Sequence, residues 1–462
     1  MAVWDLAKPL LLSPWYLLSF NWPLNRLRTS DVCMRLNTER DPDGGWYDRF
    51  VHLVDEDGRV VEEFGKHPTL DELREAERRH GERLNLWQQG LVCKECGNQI
   101  TDRFSARPDG HLLCWDCASS EDGEEKGGLT VNVDPTKTVL SESKLNEKSL
   151  CDYVINVATG CRHGCKFCYV PSTPAIDSRD EMLGEKAGVE DPQRDWGDYL
   201  LYRDDLPERV HEGLQNTDFE EEWKVTRRGR GVVMLSSGTD CYQDWRAAQI
   251  TRGVVRELVE ADIPVRILSR SPNLTRDIDL FQEADGLVAV GTSIPSFDAS
   301  LVNALEPNAP PPMARWEALD EVFRADVPRF VSFSPTYPTM DRDEIREALS
   351  WFAAVDPDVV FHEPMNPRGA NFEMCLEATR EAGYNGVAEE LERIHDHGEW
   401  TKYAIEHIKL VREIAEDHFD RLHIHSWPDR KLIETASGGQ KEWLKQLKQK
   451  ASPEPFTRTG QF

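Results

Sequence analysis

The chain has 462 residues, of which 39% are hydrophobic, enough for two or three domains or for one large barrel with an appendage. Acidic residues outnumber basic ones 83 to 55, for a formal net charge of −28, which favours solubility and disfavours loose binding to polyanions. Such an excess suits a high-salt cytosol in which screening removes self-repulsion, so the acidity reads first as a halophilic habitat and only second as information about partners.

No convincing secretory signal opens the chain, which implies a cytoplasmic location. In that setting eleven cysteines argue for metal binding rather than disulfides. Residues 9–20 (PLLLSPWYLLSF) are apolar but short, and Pro9 and Pro14 break them. A bilayer span needs about 20 unbroken apolar residues. An amphipathic surface segment, or a start at Met34, fits the same stretch. Residues 46–62 alternate as a hairpin does, with DEDG as the turn. Residues 69–87 read as a helix with Thr69 as N-cap and Glu72 three positions on.

A cysteine-rich module follows over residues 91–118. Cys93 and Cys96 pair as C-x2-C, and Cys114 and Cys117 repeat the pair after seventeen residues. This spacing predicts a four-cysteine structural zinc site, each C-x2-C turn aiming two sulfurs at one ion. The alternatives are metal-free reduced turns or a four-thiolate iron–sulfur cluster. Residues 119–149 read as an acidic linker and lead-in, because SSEDGEEKGG has nothing apolar to bury.

From about residue 150 short β-branched runs alternate with helical segments. The runs are 153–157, 232–235, 265–268, 287–290, 330–333 and 359–361, and helices are predicted at 247–260, 312–324 and 341–354. Such alternation predicts α/β architecture with parallel strands and crossover helices. Six strands predict a partial (β/α)6 barrel over 150–370, with its chemistry at the strands' carboxyl ends. The charged insertion 171–230 is expected to pass over the mouth as loops and short helices. A C-terminal helical region, 371–462, completes the chain, with helices at 376–419 and 439–449.

The first of these strands runs into ATGCRHGCKFCYV, where Cys161, Cys165 and Cys168 stand as C-x3-C-x2-C. Three thiolates from one loop can cap three irons of a [4Fe–4S] cubane, whereas four would close it as an electron carrier. The open iron can take the amine and carboxylate of S-adenosylmethionine, whose reductive cleavage releases a 5′-deoxyadenosyl radical. An electron-transfer cluster, a zinc site and structural thiols are the rival readings.

The C-x3-C-x-aromatic-C motif after a first barrel strand resembles the radical SAM superfamily. The segments LSSGTDCYQ (235–243), VRILSRSPNLTRDIDL (265–280) and GTSIPSFDASLVNALEPNAPPPMARWEAL (291–319) resemble its spore photoproduct lyase branch, often described as DNA-repair photolyase-like. The resemblance covers roughly residues 150–365. It implies that Phe167 packs near the adenine, with Tyr169 beside it among the cofactor contacts. It places Ser293 on the cosubstrate's carboxylate, with Arg270 where the lyase has a lysine, and Ser236 and Ser237 near the amino group. Cys241 replaces a proline of a T-D-P-Y run. It is a candidate hydrogen-atom donor, although it does not align with the lyase's own cysteine, or else it is a small buried residue. The resemblance also implies an electron donor such as ferredoxin or flavodoxin, and makes nucleic acid the first substrate class to consider, with proteins and small molecules as rivals. The alternative function is a non-catalytic iron–sulfur and zinc protein serving in binding or electron transfer.

Weaker signals remain. Lys224, Arg227, Arg228 and Arg230 form a basic cluster that meets phosphates or is a solvated loop. His362 and Glu363 end the sixth strand as substrate contacts or as a satisfied buried pair. His423 and His425 share a strand face without a third ligand. Cys33, Cys151 and Cys375 have no partner by spacing.

Overall fold

The computed structural model describes residues 129–145 and 150–450, except 220, 222, 227, 228 and 420, together with short pieces between 35 and 114. The chain divides into two compact units, 1–118 and 119–462.

In the first unit β1 (Arg35–Arg40), β2 (Arg49–Val54) and β3 (Val60–Gly65) form an antiparallel sheet in that order. The β2–β3 pair lies where the sequence predicts a hairpin, with two register irregularities. A second hairpin joins β4 (Phe104–Ala106) to β5 (Leu112–Cys114), with Phe104 opposite Cys114. Cys93, Cys96 and Cys117, and with them the expected zinc site, lie outside the described residues, as do the apolar segment 9–20 and the acidic stretch 119–128.

The second unit begins with β6 (Thr130–Val133) and β7 (Ser141–Glu142), so the expected lead-in contains strands. Beyond them come β8 (Tyr153–Ile155), β9 (Ala158–Thr159), β10 (Tyr199–Tyr202), β11 (Val225–Thr226) and β12 (Gly229–Arg230). The barrel strands follow: β13 (Val233–Leu235), β14 (Val265–Ser269), β15 (Val288–Ser293), β16 (Arg329–Thr336), β17 (Val359–Pro364) and β18 (Ile424–Ser426). The main sheet runs β18-β17-β16-β15-β14-β13-β8-β7 and is parallel except for β7. Its parallel part therefore has seven strands where the sequence predicts six. The C-terminal region, expected to be helical, supplies the seventh by pairing Val360, Phe361 and His362 of β17 with β18.

Both faces of these strands are buried, hence their near-continuous apolar reading. Alternate residues face opposite ways. Val233, Val265, Val290, Val331 and Val360 join the large core under the crossover helices. Met234, Ala289, Phe330, Val359 and Phe361 fill a separate interior cluster. The helices Trp245–Glu260 and Arg342–Ala354 start on carboxylate caps, Asp244 accepting from the Ala247 N–H and Asp341 forming a capping box with Glu344. The turns into β14, β15, β16 and β17 carry Asp262, Asp285, Asp326 and Asp356 at φ 56°, 46°, 56° and 43°. Aspartate tolerates this left-handed geometry better than most residues, so part of the acidic excess serves turns.

The insertion 171–230 is not only loops and short helices. It contributes β10, which pairs with β6 and β9 in a three-stranded sheet against the cysteine loop. No helix among the described residues is long and apolar enough to cross a membrane.

Candidate functional site

The chain leaves the barrel sheet after Ile155 and turns through β9 into the loop that carries the three cysteines. Gly160 opens the loop at φ +91°, and a Cβ there would lie 2.1 Å from the Tyr199 carbonyl oxygen. Gly164, at φ +61°, meets Gly197 of the insertion, whose own Cβ would lie 2.9 Å from the Gly164 Cα. Strand β10 and residue 197 thus press the loop into a shape that only glycine allows at these points.

Cys161 and Cys165 are buried, Cys168 is half-buried, and all three are free thiols. Burial first, and then neighbouring Asp240, pushes the Cys161 thiol up to about 12. Burial and then Cys165 do the same to Cys168, also to about 12. Cys165 is raised as well, chiefly by burial, against the pull of Arg270. The thiols are close enough to act on one another's charge. They stay protonated unless a bound cation compensates for the thiolate. No three His, Cys, Asp or Glu side chains among the described residues converge as they would on a single ion. A cubane asks instead for one thiolate on each of several irons.

Around the loop the strand ends supply a dense polar network. Asp240 accepts hydrogen bonds from Ser269 Oγ at 2.6 Å, from the Arg270 N–H at 2.6 Å and from the Tyr242 N–H at 2.9 Å. Its Oδ2 lies 3.1 Å from His163 Nε2, a ring between Cys161 and Cys165 in sequence. Burial acts to raise this carboxyl, but His163 and the hydrogen bonds prevail and lower it to about 2. Asn156, which sequence reasoning missed, accepts from the Ser237 and Gly238 N–H groups at 3.1 and 2.8 Å. A polar residue inside the apolar run 153–157 was the signal for it.

The residues expected to contact a cofactor fall around this loop. Ser236 is buried and donates to the Ile155 carbonyl, and Tyr169 Oη donates to the Ser237 carbonyl at 3.3 Å. The Arg270 guanidinium lies 5.5 Å from the Phe167 ring centre. Ser293 is buried at the end of β15, its carbonyl accepting from Arg315 Nη1 at 3.0 Å. Cys241 is placed differently. It is fully buried in the large core, its thiol 3.5 Å from the Leu235 carbonyl oxygen.

Alternation along β17 separates His362 from Glu363. His362 turns to the helix side, 3.1 Å from Thr336 Oγ1, and burial lowers its pKa well below the usual value. Glu363 lines a small open cleft of about 60 Å³ with Ser332, Ser334, Phe361 and Trp427, and His362 borders it as well. His423 and His425 follow the β18 alternation, His425 lining the same cleft. Of the basic cluster, Lys224 pairs with Glu142 at 2.8 Å and Arg230 lies 4.6 Å from the Phe219 ring centre. Arg227 and Arg228 lie outside the described residues.

Comparison with known proteins matches residues 155–352 to the family model described as the radical SAM superfamily. An uncharacterized protein of Acidianus two-tailed virus is 31% identical over 247 residues, 52% of this chain and 76% of the viral protein. An uncharacterized protein of Methanocaldococcus jannaschii is 24% identical over 189 residues, 41% of this chain and 61% of that protein. Among solved structures, spore photoproduct lyase complexed with dinucleoside spore photoproduct superposes with a TM-score of 0.45 at 15% identity, covering 78% of this chain and 94% of the lyase. Streptococcus suis SuiB bound to S-adenosylmethionine superposes at 0.38 and 10% identity, covering 64% and 56%.

Proposed function

This chain belongs to the radical SAM superfamily, and from that premise we propose that it reductively cleaves S-adenosylmethionine at a [4Fe–4S] cluster held by Cys161, Cys165 and Cys168. The observation that carries the reading is the set of three free, mutually interacting thiols on a glycine-shaped loop beyond the first barrel strand. When bound, the cluster supplies an electron to the sulfonium, giving methionine and a 5′-deoxyadenosyl radical.

This chain's own residues bind and shield. Asp240 and Asn156 fix the strand ends against the loop. Phe167 and Tyr169 bound the adenosine side. Ser236 and Ser237 hold the amino group, and Ser293 and Arg270 the carboxylate. The small cleft at Glu363, beside Phe361 and Trp427, marks where we place one edge of the substrate. A substrate covering it excludes water and so protects a reactive radical from side reactions. Nucleic acid is the substrate class proposed first. A ferredoxin- or flavodoxin-like protein serves as electron donor, and the chain works in the cytoplasm. Full burial of Cys241 against the Leu235 carbonyl favours packing over hydrogen-atom donation for that thiol. In the N-terminal unit we assign one zinc to Cys93, Cys96, Cys114 and Cys117, on their spacing.

The test is anaerobic reconstitution with dithionite and S-adenosylmethionine, followed by chromatography for 5′-deoxyadenosine. Product from the wild type, with neither product nor brown cluster absorbance from Cys165→Ala, is the expected outcome. Full cluster content in Cys165→Ala would overturn the ligand assignment. Metal analysis should also return about one zinc per chain, lost in the Cys114→Ser, Cys117→Ser variant; iron there would refute the zinc site.

A further inference from the structure

Glu306 follows the helix Ala299–Leu305 and is fully buried. A carboxylate taken out of water needs cations and donors around it. Glu306 has two guanidinium groups on one oxygen: Oε2 lies 2.5 Å from Arg315 Nη2 and 3.2 Å from Arg270 Nε. Arg315 is itself fully buried and donates onward, from Nη1 to the Ser293 carbonyl at 3.0 Å and from Nε to the Pro310 carbonyl at 2.7 Å. Arg270 is about one-fifth exposed, and its backbone N–H is held by Asp240.

The segment that carries Glu306 is tied to the cysteine loop. The Lys166 N–H donates to the Leu305 carbonyl at 2.8 Å, and the Asn308 N–H to the His163 carbonyl at 3.3 Å. Glu306 is therefore registered to the same backbone that presents the three thiols.

Two further atoms bear on what arrives here. Glu306 Oε1 and Tyr337 Oη are both buried without a hydrogen-bond partner among the described residues. The Tyr337 ring lies 6.4 Å from Phe167, and its phenol is held well above its usual range, by burial first and then by Glu306. A buried polar group left unmet is destabilising. Tyr337 Oη, whose ring packs beside Phe167, is therefore a polar group left for a ligand to meet, while Glu306 keeps its charge for the two arginines.

Resting on the S-adenosylmethionine reading above, we propose that Glu306 is the positioning residue of the site for the cosubstrate's carboxylate: it fixes Arg270 directly and Ser293 through Arg315. One buried anion thereby orients both groups that hold the ligand's carboxylate. An unclamped arginine would have to surrender its rotamer freedom on binding, and Glu306 has already removed that freedom. Glu306 itself stands behind Arg270 and touches no ligand.

The experiment measures equilibrium binding to anaerobically reconstituted protein with two probes. S-adenosylmethionine carries the carboxylate; 5′-methylthioadenosine shares the adenosine and sulfur but has no amino-acid portion. Glu306→Gln should weaken S-adenosylmethionine about tenfold and leave methylthioadenosine within about twofold of wild type. Glu306→Asp keeps the charge but shortens the reach, and should give a smaller loss with the same selectivity; it serves if the glutamine variant does not fold. Equal losses for the two probes, or an unchanged S-adenosylmethionine affinity, would overturn the proposal while leaving the cluster reading intact. A wild-type protein that forms no cluster and binds neither probe would bring down the parent reading, and this proposal with it.

Discussion

Gly160→Ala is the sharpest single perturbation of the cysteine loop. Two costs add at this position. The backbone sits at φ +91°, where an L-residue loses roughly 1–2 kcal/mol. The new methyl would also lie 2.1 Å from the Tyr199 carbonyl oxygen and 2.8 Å from its Cδ2. Backbone of β10 cannot yield as a flexible side chain would, and such overpacking costs typically about 1–3 kcal/mol. Together they come to about 2–5 kcal/mol. In a unit of this size, at roughly 2 °C per kcal/mol, the melting temperature should fall by about 4–10 °C. Gly188→Ala is the matched control. It shares a positive φ, +67°, but has no atom within 4 Å of the added Cβ, so only the conformational cost remains, about 1–2 kcal/mol. The assay is calorimetry on both variants with iron determination after reconstitution. Gly160→Ala should lose iron as well as stability, because the carbonyl it meets belongs to the strand that shapes the loop. Equal melting temperatures for the two variants, or full iron in Gly160→Ala, would refute the claim that β10 presses on the loop.

Three further outcomes follow from the geometry. Asn156→Ala removes the acceptor shared by the Ser237 and Gly238 N–H groups; a loss of about 1–2 kcal/mol in denaturant titration, with weaker S-adenosylmethionine binding, is expected. Burial holds His407 down at about 4, so below about pH 6.5 the unfolded chain takes up a proton that the folded chain refuses. Stability is full above that pH and should decline by about 3 kcal/mol as pH falls toward 4, and His407→Phe should flatten the curve measured by guanidinium titration at stepped pH. In metal-free protein, alkylation followed by mass spectrometry should label half-buried Cys168 before Cys241 and Cys375, which are fully buried; early labelling of Cys241 would contradict its place in the core.

Six barrel strands were legible because each is a run of β-branched and aromatic residues between turn signals, as in VRILS and RFVSFS. β18 was legible only as a short strand face at His423 and His425, because IHS is brief and two-thirds polar; its place beside β17 in the main sheet was not. β10 is an apolar YLLY inside a charged insertion, and its significance depends on a spatial contact between Tyr199 and Gly160, 39 positions earlier, that no sequence pattern announces. The thiol triplet was legible from spacing alone, since one loop carries all three. The groups that orient it were not. Asn156, His163 and Glu306 carry no motif individually and act only where strands β8, β13 and β14 bring their ends together. His362 and Glu363 were ambiguous as neighbours in sequence; both border the same cleft, while the buried His362 ring also meets Thr336.

The seventh parallel strand changes what the carboxyl-terminal fifth of the chain is for. A chain cut after residue 370 would lose the partner that pairs with Val360, Phe361 and His362, baring a row of amides and carbonyls beside an apolar interior. Bare edges of that kind recruit other chains. Residues 371–450 therefore act as a seam along the flank of the main sheet, and ending the chain at residue 370 should yield aggregates rather than a smaller folded protein.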